Sequence, residues 1–574
     1  MRFESNTFSQ VLRQAYLECP DQVTLYLLNN RLPDQAITYR QLIQGAAGYA
    51  RALAQAGVQP GEVVVLILNH GADLVYSFFG AILQGAIPSI MPFLTEKLSP
   101  DHYRSALTAL FEITSPAAVA TYPEFVAEVQ AAVNSNGSQS SVRALLVSSD
   151  IAPLDHPNVD DLTGLRSKPE NIVLLQHSSG TTGLQKGVAL SHRAVFNQLE
   201  SYARSLSLHD QDVVVSWLPL YHDMGLIAGF ILPILTRIPL VLMSPFDWVR
   251  APYKLMQAVS RYRGTLSWLP NFAYNFCAQK VRPRDLEAVD LSSWRAVINC
   301  SEPMHWRSHH VFLERFEPHG LRPSALATCY AMAENVFAVT QGGIHAPVAV
   351  DLVNQQALLT RQVAEPAQKA LAEDETGLVR LLSAGRPIEG TRLRVLDAHG
   401  QDLPERHIGE IAIQSNCMLA SYYHRPDLTE KAFLDGWYLT GDLGYVADEE
   451  VYVTGRKKDL IIVGGKNIYP QDLERLASEV HSVHPGRIVA FGVFNEQAGT
   501  EDVVIVAETD AETDAERQRI ADEIRLRINR GSDIVLRYVH VVERNWLLKT
   551  SSGKIARAAN REKYRNALGA GNYA

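Results

Sequence analysis

Residues 177 to 187 read His177-Ser-Ser-Gly-Thr-Thr-Gly-Leu-Gln-Lys-Gly187. The three glycines let backbone amides approach an anion closely. Ser178, Ser179, Thr181 and Thr182 add hydroxyl donors, and Lys186 adds a positive charge. The chemistry this suits is phosphate binding. The stretch does not match the Walker A pattern, in which Gly and Lys are adjacent and Ser or Thr follows. On these residues alone, a merely tight Gly/Thr turn stays open as the alternative.

Further segments carry chemistry at intervals along the chain. Leu218-Pro-Leu-Tyr-His-Asp-Met-Gly225 holds His222 and Asp223 between two turns. Cys329-Tyr-Ala-Met-Ala-Glu334 sets a carboxylate just after a buried strand, and Tyr438-Leu-Thr-Gly-Asp-Leu-Gly444 sets another in a turn. Thr454-Gly-Arg-Lys-Lys-Asp-Leu-Ile-Ile-Val-Gly-Gly-Lys-Asn-Ile-Tyr-Pro470 follows, and Leu548-Lys-Thr-Ser-Ser-Gly-Lys-Ile555 lies near the end. Each is weak alone. Their order and number make them informative together.

These residues need a scaffold to hold them. The chain has 574 residues, 47% apolar and 20% charged, with a formal net charge of −9. That length exceeds one hydrophobic core, so at least two domains are expected. The acidic balance argues against a general nucleic-acid binder. The five cysteines form no CxxC pair, which suggests neither a disulfide framework nor a zinc site and fits a reducing cytoplasm. The first residues lack the apolar run of a signal peptide. Leu226–Met243 is apolar but interrupted by Pro233, Arg237 and Pro239, so it reads as buried helix and strand, with no membrane span.

Strands alternate with helices. Thr38 caps a helical pattern through Leu53, Gly57–Gly61 is a turn, Val63–Leu68 a strand, and Asp73–Gly85 a buried helix. Ala131–Ser141 reads as an exposed loop. Ile172–Gln176 is a strand that delivers the phosphate loop, and Ser191–Leu206 a helix after it; strand, glycine turn and helix together gather backbone N–H groups. Beyond Asp435 the pattern changes to short strands (Glu449–Val453, Leu460–Val463, Val503–Glu508, Val535–Val542) and two helices (Gln471–Glu479, Ala511–Arg530). The fold class expected is α/β: a large N-terminal domain with mixed and parallel sheets, residues 1–455; a hinge, 456–459; and a small mobile α+β domain, 460–574.

The ordered motifs resemble the adenylate-forming superfamily of acyl-CoA synthetases, firefly luciferase and nonribosomal adenylation domains, over nearly the whole chain. Within it the text is most similar to fatty acyl-AMP ligases, through Ser216–Ile227, Trp268–Tyr274 and Lys458–Glu474. The long connection Gly343–Leu382 resembles an insertion that in those ligases restrains the small domain and disfavours the CoA reaction.

The resemblance implies an ATP-dependent ligase. A carboxylic acid attacks the α-phosphate of MgATP, giving acyl-AMP and pyrophosphate; the phosphopantetheine thiol of a carrier protein then takes the acyl group. By this resemblance Ser178, Ser179, Gly180, Thr181, Thr182, Gly183 and Lys186 hold the pyrophosphate end of ATP. Glu334 binds Mg²⁺, Tyr330 stacks on adenine, Asp442 takes the ribose hydroxyls, and Arg456 lies near ribose and phosphate. Lys554 is the catalytic lysine that the small domain delivers, and His222 guards the carboxylate entrance. Lys458 is the hinge; Gly464 and Gly465 form the loop used in the thiol step. Trp268, Asn271, Phe272, Tyr274, Cys300 and Ala325 are candidates for the acyl pocket, although core packing would use the same residue types.

Some positions depart from the family pattern. Gln185 and Leu548 stand where proline is usual, Ala331 where glycine is usual, and Asn299-Cys-Ser-Glu-Pro303 where the text is smaller. Three alternatives stay open at this point: an acyl-CoA ligase with CoA as acceptor, a ligase for an unusual oxyanion or an amine acceptor in secondary metabolism, and a binding protein that no longer turns over. The identity of the acid and the oligomeric state are not legible here.

Overall fold

The computed structural model describes residues 7–30, 33–92, 100–135, 141–178, 186–367, 377–463, 466–495, 500–531, 536–550 and 554–567. Among these, two seven-stranded sheets form the heart of a large N-terminal unit. The first runs Leu326–Cys329, Ala296–Cys300, Leu266–Leu269, Val214–Ser216, Leu240–Met243, Val23–Leu28, Gln35–Thr38. Its pairs are parallel except the last. The second runs Ser421–Tyr422, Lys186–Ser191, Ile172–Ser178, Ile87–Ile90, Val63–Ile67, Ala118–Thr121, Ala144–Val147. Its inner strands are parallel, and the Lys186–Ser191 strand is antiparallel to both neighbours. Val63–Ile67 is buried at every residue, as a strand covered by helices on both faces must be.

The local elements follow familiar chemistry. Thr38 accepts the N–H of Gln41 and starts the helix Tyr39–Gln55. The helix Ala72–Gln84 stops at Gly85, which is left-handed with φ +80°. These two helices pack so closely that a Cβ on Gly80 would lie 2.5 Å from the Tyr49 Cβ, so only glycine fits there.

Two expectations need correction. The composition of Ala131–Ser141 predicts a loop, but the helix Val126–Ser135 takes its first five residues; Val129 and Ala132, three residues apart and buried, outweigh the polar composition. The phosphate loop does not lead into a helix. It joins two antiparallel strands, with Ser178 paired to Lys186 and His177 to Gly187. The run Val188-Ala-Leu190 is buried and needs a strand partner on each side, so the helix His192–Ser205 starts only afterwards, on its cap Ser191.

After a five-stranded antiparallel sheet built on Trp437–Ala447, the chain enters a smaller C-terminal α+β unit. Its sheet pairs Val483–Asn495 with Thr500–Thr509 and Tyr538–Val542. Helices Pro470–Ser478 and Asp514–Gly531 close one apolar core, which includes Leu473, Ile505 and Ile524. Tyr469 is an exception: it is buried among Leu443, Tyr445 and Tyr452 of the large unit. No helix among the described residues is long and apolar enough to cross a membrane.

Three buried histidines carry a cost in acid. Burial pushes His177, His192 and His309 each down to about 4. His192 shows a reason to stay neutral: its Nδ1 accepts the N–H of Phe8 at 3.3 Å, a bond that protonation at Nδ1 would abolish. The unfolded imidazoles titrate near 6.5, so below that pH the unfolded chain binds more protons and stability falls down to the folded value. At pH 5 each such histidine costs about 2 kcal/mol. The thermal midpoint is therefore expected to drop between pH 7 and pH 5, and less steeply in His309→Gln. A midpoint independent of pH over this range contradicts the assignment.

Candidate active site

In open α/β sheets, ligands sit beyond the carboxyl ends of the parallel strands. The first sheet places four chemically loaded segments at those ends: Trp217–Asp223 after Val214–Ser216, Pro270–Phe272 after Leu266–Leu269, Ser301–Glu302 after Ala296–Cys300, and Tyr330–Glu334 after Leu326–Cys329. Cys300 and Cys329 are register partners, which sets Ser301 beside Tyr330.

A first cluster forms around Asp442. The Tyr330 hydroxyl donates to Asp442 Oδ2 at 2.7 Å, and Arg456 Nε lies 3.2 Å from Oδ1. Asp442 and Arg456 are cross-strand partners. Asp442 is thus part of the strand Trp437–Ala447, not in a turn; Gly441 at φ +71° and an irregular register at Leu443 bend the strand there. The Asp442 charge holds the Arg456 guanidinium above its ordinary value, and burial pushes the Tyr330 phenol up. Glu334 joins through its Oε1, which accepts the Tyr422 hydroxyl at 2.8 Å; Tyr422 in turn meets Tyr438 at 2.9 Å. Lys186 Nζ lies 4.7 Å from the centre of the Tyr422 ring. Lys458, on the short turn Lys457–Asp459, is pushed down by burial and then by the positive charge of Arg456.

Lys554 forms a second cluster. Its Nζ donates to the Ser301 carbonyl at 2.6 Å, across 253 residues of sequence. It also lies in the field of His222, Asp223 and Glu302. Burial, then the Lys554 charge, pushes His222 down to about 3, so its imidazole is neutral. His222 Nε2 is buried and has no partner among the described residues. Asp223 accepts the N–H of Met224 and starts a π-helix, Met224–Ile231, a rare element that is frequent at functional sites.

Sequence reasoning missed the clasp that carries Lys554. Asn560 is fully buried; its Oδ1 accepts the N–H of Leu548, and its Nδ2 donates to the carbonyls of Leu548 and Ala556. A proline at 548, the usual residue in the resembled family, would lack the N–H that Asn560 receives. Arg557 binds Asp459 at 2.9 Å and Glu474 at 2.6 Å, tying the lysine arm to the Lys457–Asp459 turn. Tyr422 and Glu302 were missed as well. Nothing distinguishes Tyr422 or Asn560 in the sequence; Ser-Glu-Pro after a buried run was the available signal for Glu302.

The other expected residues are placed as follows. Ser178 ends the strand Ile172–Ser178, while Ser179, Gly180, Thr181, Thr182, Gly183, Gln185, Gly464 and Gly465 lie outside the described residues. Cys300 is buried beside Ser301, and Asn271 is buried with Oδ1 receiving the Asn299 amide at 3.0 Å. Phe272 is 37% exposed, and its N–H donates to Glu302 at 3.0 Å. Trp268 is buried and donates to Tyr202. Two acyl-pocket expectations fail on geometry. Tyr274 points into the core, where its hydroxyl binds the Val297 carbonyl and its ring stacks on His309. Ala325 precedes the strand Leu326–Cys329 and so lies at its amino end, about 13 Å of extended chain from the reactive edge.

The AMP-binding enzyme family model matches residues 12–423. A long-chain-fatty-acid–AMP ligase of Mycobacterium marinum, FadD32, is 30% identical, covering 88% of this chain and 85% of its own. The medium-chain-fatty-acid–[acyl-carrier-protein] ligase JamA of Moorena producens is 28% identical, covering 94% and 91%. A solved structure from studies of fatty acyl-adenylate ligases of E. coli and L. pneumophila superposes with a TM-score of 0.88 at 27% identity, covering 98% of each chain. A fatty acyl-adenylate ligase from L. pneumophila, in complex with acyl adenylate and pyrophosphate, matches with a TM-score of 0.72 at 27% identity over 97% and 96%.

The Tyr330 hydroxyl orients a charged acceptor, an interaction worth about 1.5–3 kcal/mol. If this cluster holds the nucleotide, Tyr330→Phe is expected to weaken ATP binding about tenfold or more, measured by calorimetric titration. Unchanged affinity would remove Asp442 orientation from the account.

Proposed function

The chain belongs to the AMP-binding enzyme family and is an AMP-forming ligase, and we propose from that premise that it activates a fatty or related carboxylic acid as acyl-AMP and passes the acyl group to the phosphopantetheine thiol of a carrier protein. In the first step a carboxylate oxygen bonds to the α-phosphorus of ATP, the bond to the β-phosphate oxygen breaks, and pyrophosphate leaves. In the second, the thiol sulfur attacks the acyl carbonyl, the thiol proton is released, and AMP departs. The similar proteins support this reading: an acyl-carrier-protein ligase and a ligase bound to acyl adenylate and pyrophosphate are among them.

The first step brings two anions together, so catalysis is mostly electrostatic. Lys554 is the group we assign to the carboxylate and the α-phosphate. The observation that carries the reading is its position, 2.6 Å from Ser301 O at the reactive strand ends. Asp442 is assigned to the ribose diol, since a carboxylate accepts two hydrogen bonds. Arg456 lies beside it, Tyr330 serves adenine, and Ser178, Ser179, Gly180, Thr181, Thr182, Gly183 and Lys186 serve the departing pyrophosphate. The Nε2 of neutral His222, unpartnered among the described residues, can bond the acid.

Among the described residues, no group of three or more His, Cys, Asp or Glu side chains converges as a metal site. A lone protein carboxylate fits Mg²⁺, which keeps water and substrate phosphates as most of its ligands. Glu334 would hold it, and the ion would neutralise phosphate charge.

We divide the chain at 456–459, with the small unit turning about Lys458 and the Gly464–Gly465 segment serving the thiol step. The connection Gly343–Leu382 supports carrier protein over CoA as acceptor. Its helix Gln355–Thr360 lies against the strand Lys466–Ile468 of the small unit, while its Arg380 sits over Trp306 of the large one. A segment that touches both units limits their rotation. Five free thiols suit a reducing cytoplasm.

Pyrophosphate release across a panel of acids tests the first step. Lys554→Ala is expected to lower adenylation about a hundredfold or more with ATP binding retained; unchanged adenylation removes its assigned role. Acyl transfer to a carrier protein is expected to outpace transfer to CoA, and equal rates with CoA would favour an acyl-CoA ligase.

A further inference from the structure

Ser301 is an unusual residue. Its φ is +68°, a left-handed conformation in a residue with a Cβ. It breaks the strand Ala296–Cys300, and its carbonyl then receives Lys554 Nζ at 2.6 Å. The next residue, Glu302, is held on one oxygen by the N–H of Phe272 at 3.0 Å. That bond anchors the carboxylate to the end of a neighbouring parallel strand. Backbone strain at a functional site persists only where the surroundings impose it.

We infer that Ser301 and Glu302 form the seat on which the large unit receives the lysine arm, and that Glu302 is a positioning residue for Lys554 in acyl-adenylate formation. The inference rests on the adenylating role assigned to Lys554 above. Two lysines of the arm, Lys554 and Lys549, act on this one carboxylate, and both oppose the rise that burial imposes on its protonation. Asp223, beyond the end of Val214–Ser216 two strands away, also lies in the Lys554 field, so the ammonium bonds a carbonyl and is attracted by two acidic groups. A flexible lysine would otherwise sample many rotamers, and confinement by fixed acceptors reduces the entropy lost in the reaction. The seat also has to release the arm. In the thiol step the small unit turns away, so a contact useful in the first half-reaction does nothing for the second.

The two half-reactions can be measured apart. The first is pyrophosphate release with ATP and whichever acid the wild-type enzyme uses fastest. The second is transfer from chemically prepared acyl-AMP of that acid to a carrier-protein thiol. Glu302→Gln keeps the shape and removes the charge. It is expected to lower kcat of adenylation about tenfold, with KM for ATP within about twofold and the transfer rate unchanged. Glu302→Asp is expected to recover part of the loss. In a Lys554→Ala background, Glu302→Gln is expected to add no further loss, because a residue that acts through Lys554 has nothing left to position. Full activity of Glu302→Gln, equal losses in both half-reactions, or a loss that multiplies with that of Lys554→Ala would each overturn the inference. If wild type forms no acyl-AMP with any acid, the adenylating role falls and the seat with it. If wild type is active and Glu302→Gln is indifferent, only the seat falls.

Discussion

The proposed chemistry depends on one long-range contact, the hydrogen bond from Lys554 to the carbonyl of Ser301. A reaction between two anions needs a cation at the point of attack, and that cation has to be excluded from water to have full effect. The large unit provides strand ends and acceptors there, but the cation comes from another part of the chain. In the proposed reaction that cation is Lys554, and two contacts of the small unit hold its arm. Asn560 clasps both arms of the loop, and Arg557 fastens the arm to Asp459 and Glu474. The units meet where parallel strands end, the one place where backbone groups and side chains of several strands converge.

Charge is divided between two neighbouring clusters. Asp442, Arg456, Glu334 and Lys186 make one cluster, assigned in the proposal to nucleotide and phosphate, while Lys554, Asp223, Glu302 and neutral His222 make the other, assigned to the acid. Ser301 and Tyr330 follow register-paired residues of adjacent strands, so the two clusters meet along one sheet edge. The hairpin bearing the phosphate loop comes from the other sheet, and Tyr422 joins it to Glu334 through its hydroxyl and its ring.

Much of this was legible in the sequence. The alternation of apolar runs and helical patterns predicted the α/β fold, and its strand and helix positions agree within a few residues at Tyr39–Gln55, Ala72–Gln84 and Val63–Ile67. The ordered motifs identified the family. What stayed hidden was tertiary. Glycine-rich text between two strands looks the same whether a helix or an antiparallel partner follows, so the phosphate loop was expected in the wrong setting. Buried aromatic residues look the same in a pocket and in a core; Tyr274 proved to be core and Ala325 to sit at the far end of its strand. Asn560 and Tyr422 act through contacts 12 and 88 residues away, and nothing local signals such a partner.

The account turns on where Lys554 and Asp442 lie when an acyl-adenylate is bound. A crystal structure with a non-hydrolysable acyl-adenylate analogue measures this directly. The account predicts Lys554 Nζ within hydrogen-bond distance of the oxygen joining acyl group and phosphorus, and both ribose hydroxyls on the Asp442 carboxylate. An analogue seated away from these strand ends, with its ribose contacting neither Asp442 nor Arg456 and Lys554 Nζ out of its reach, would contradict it.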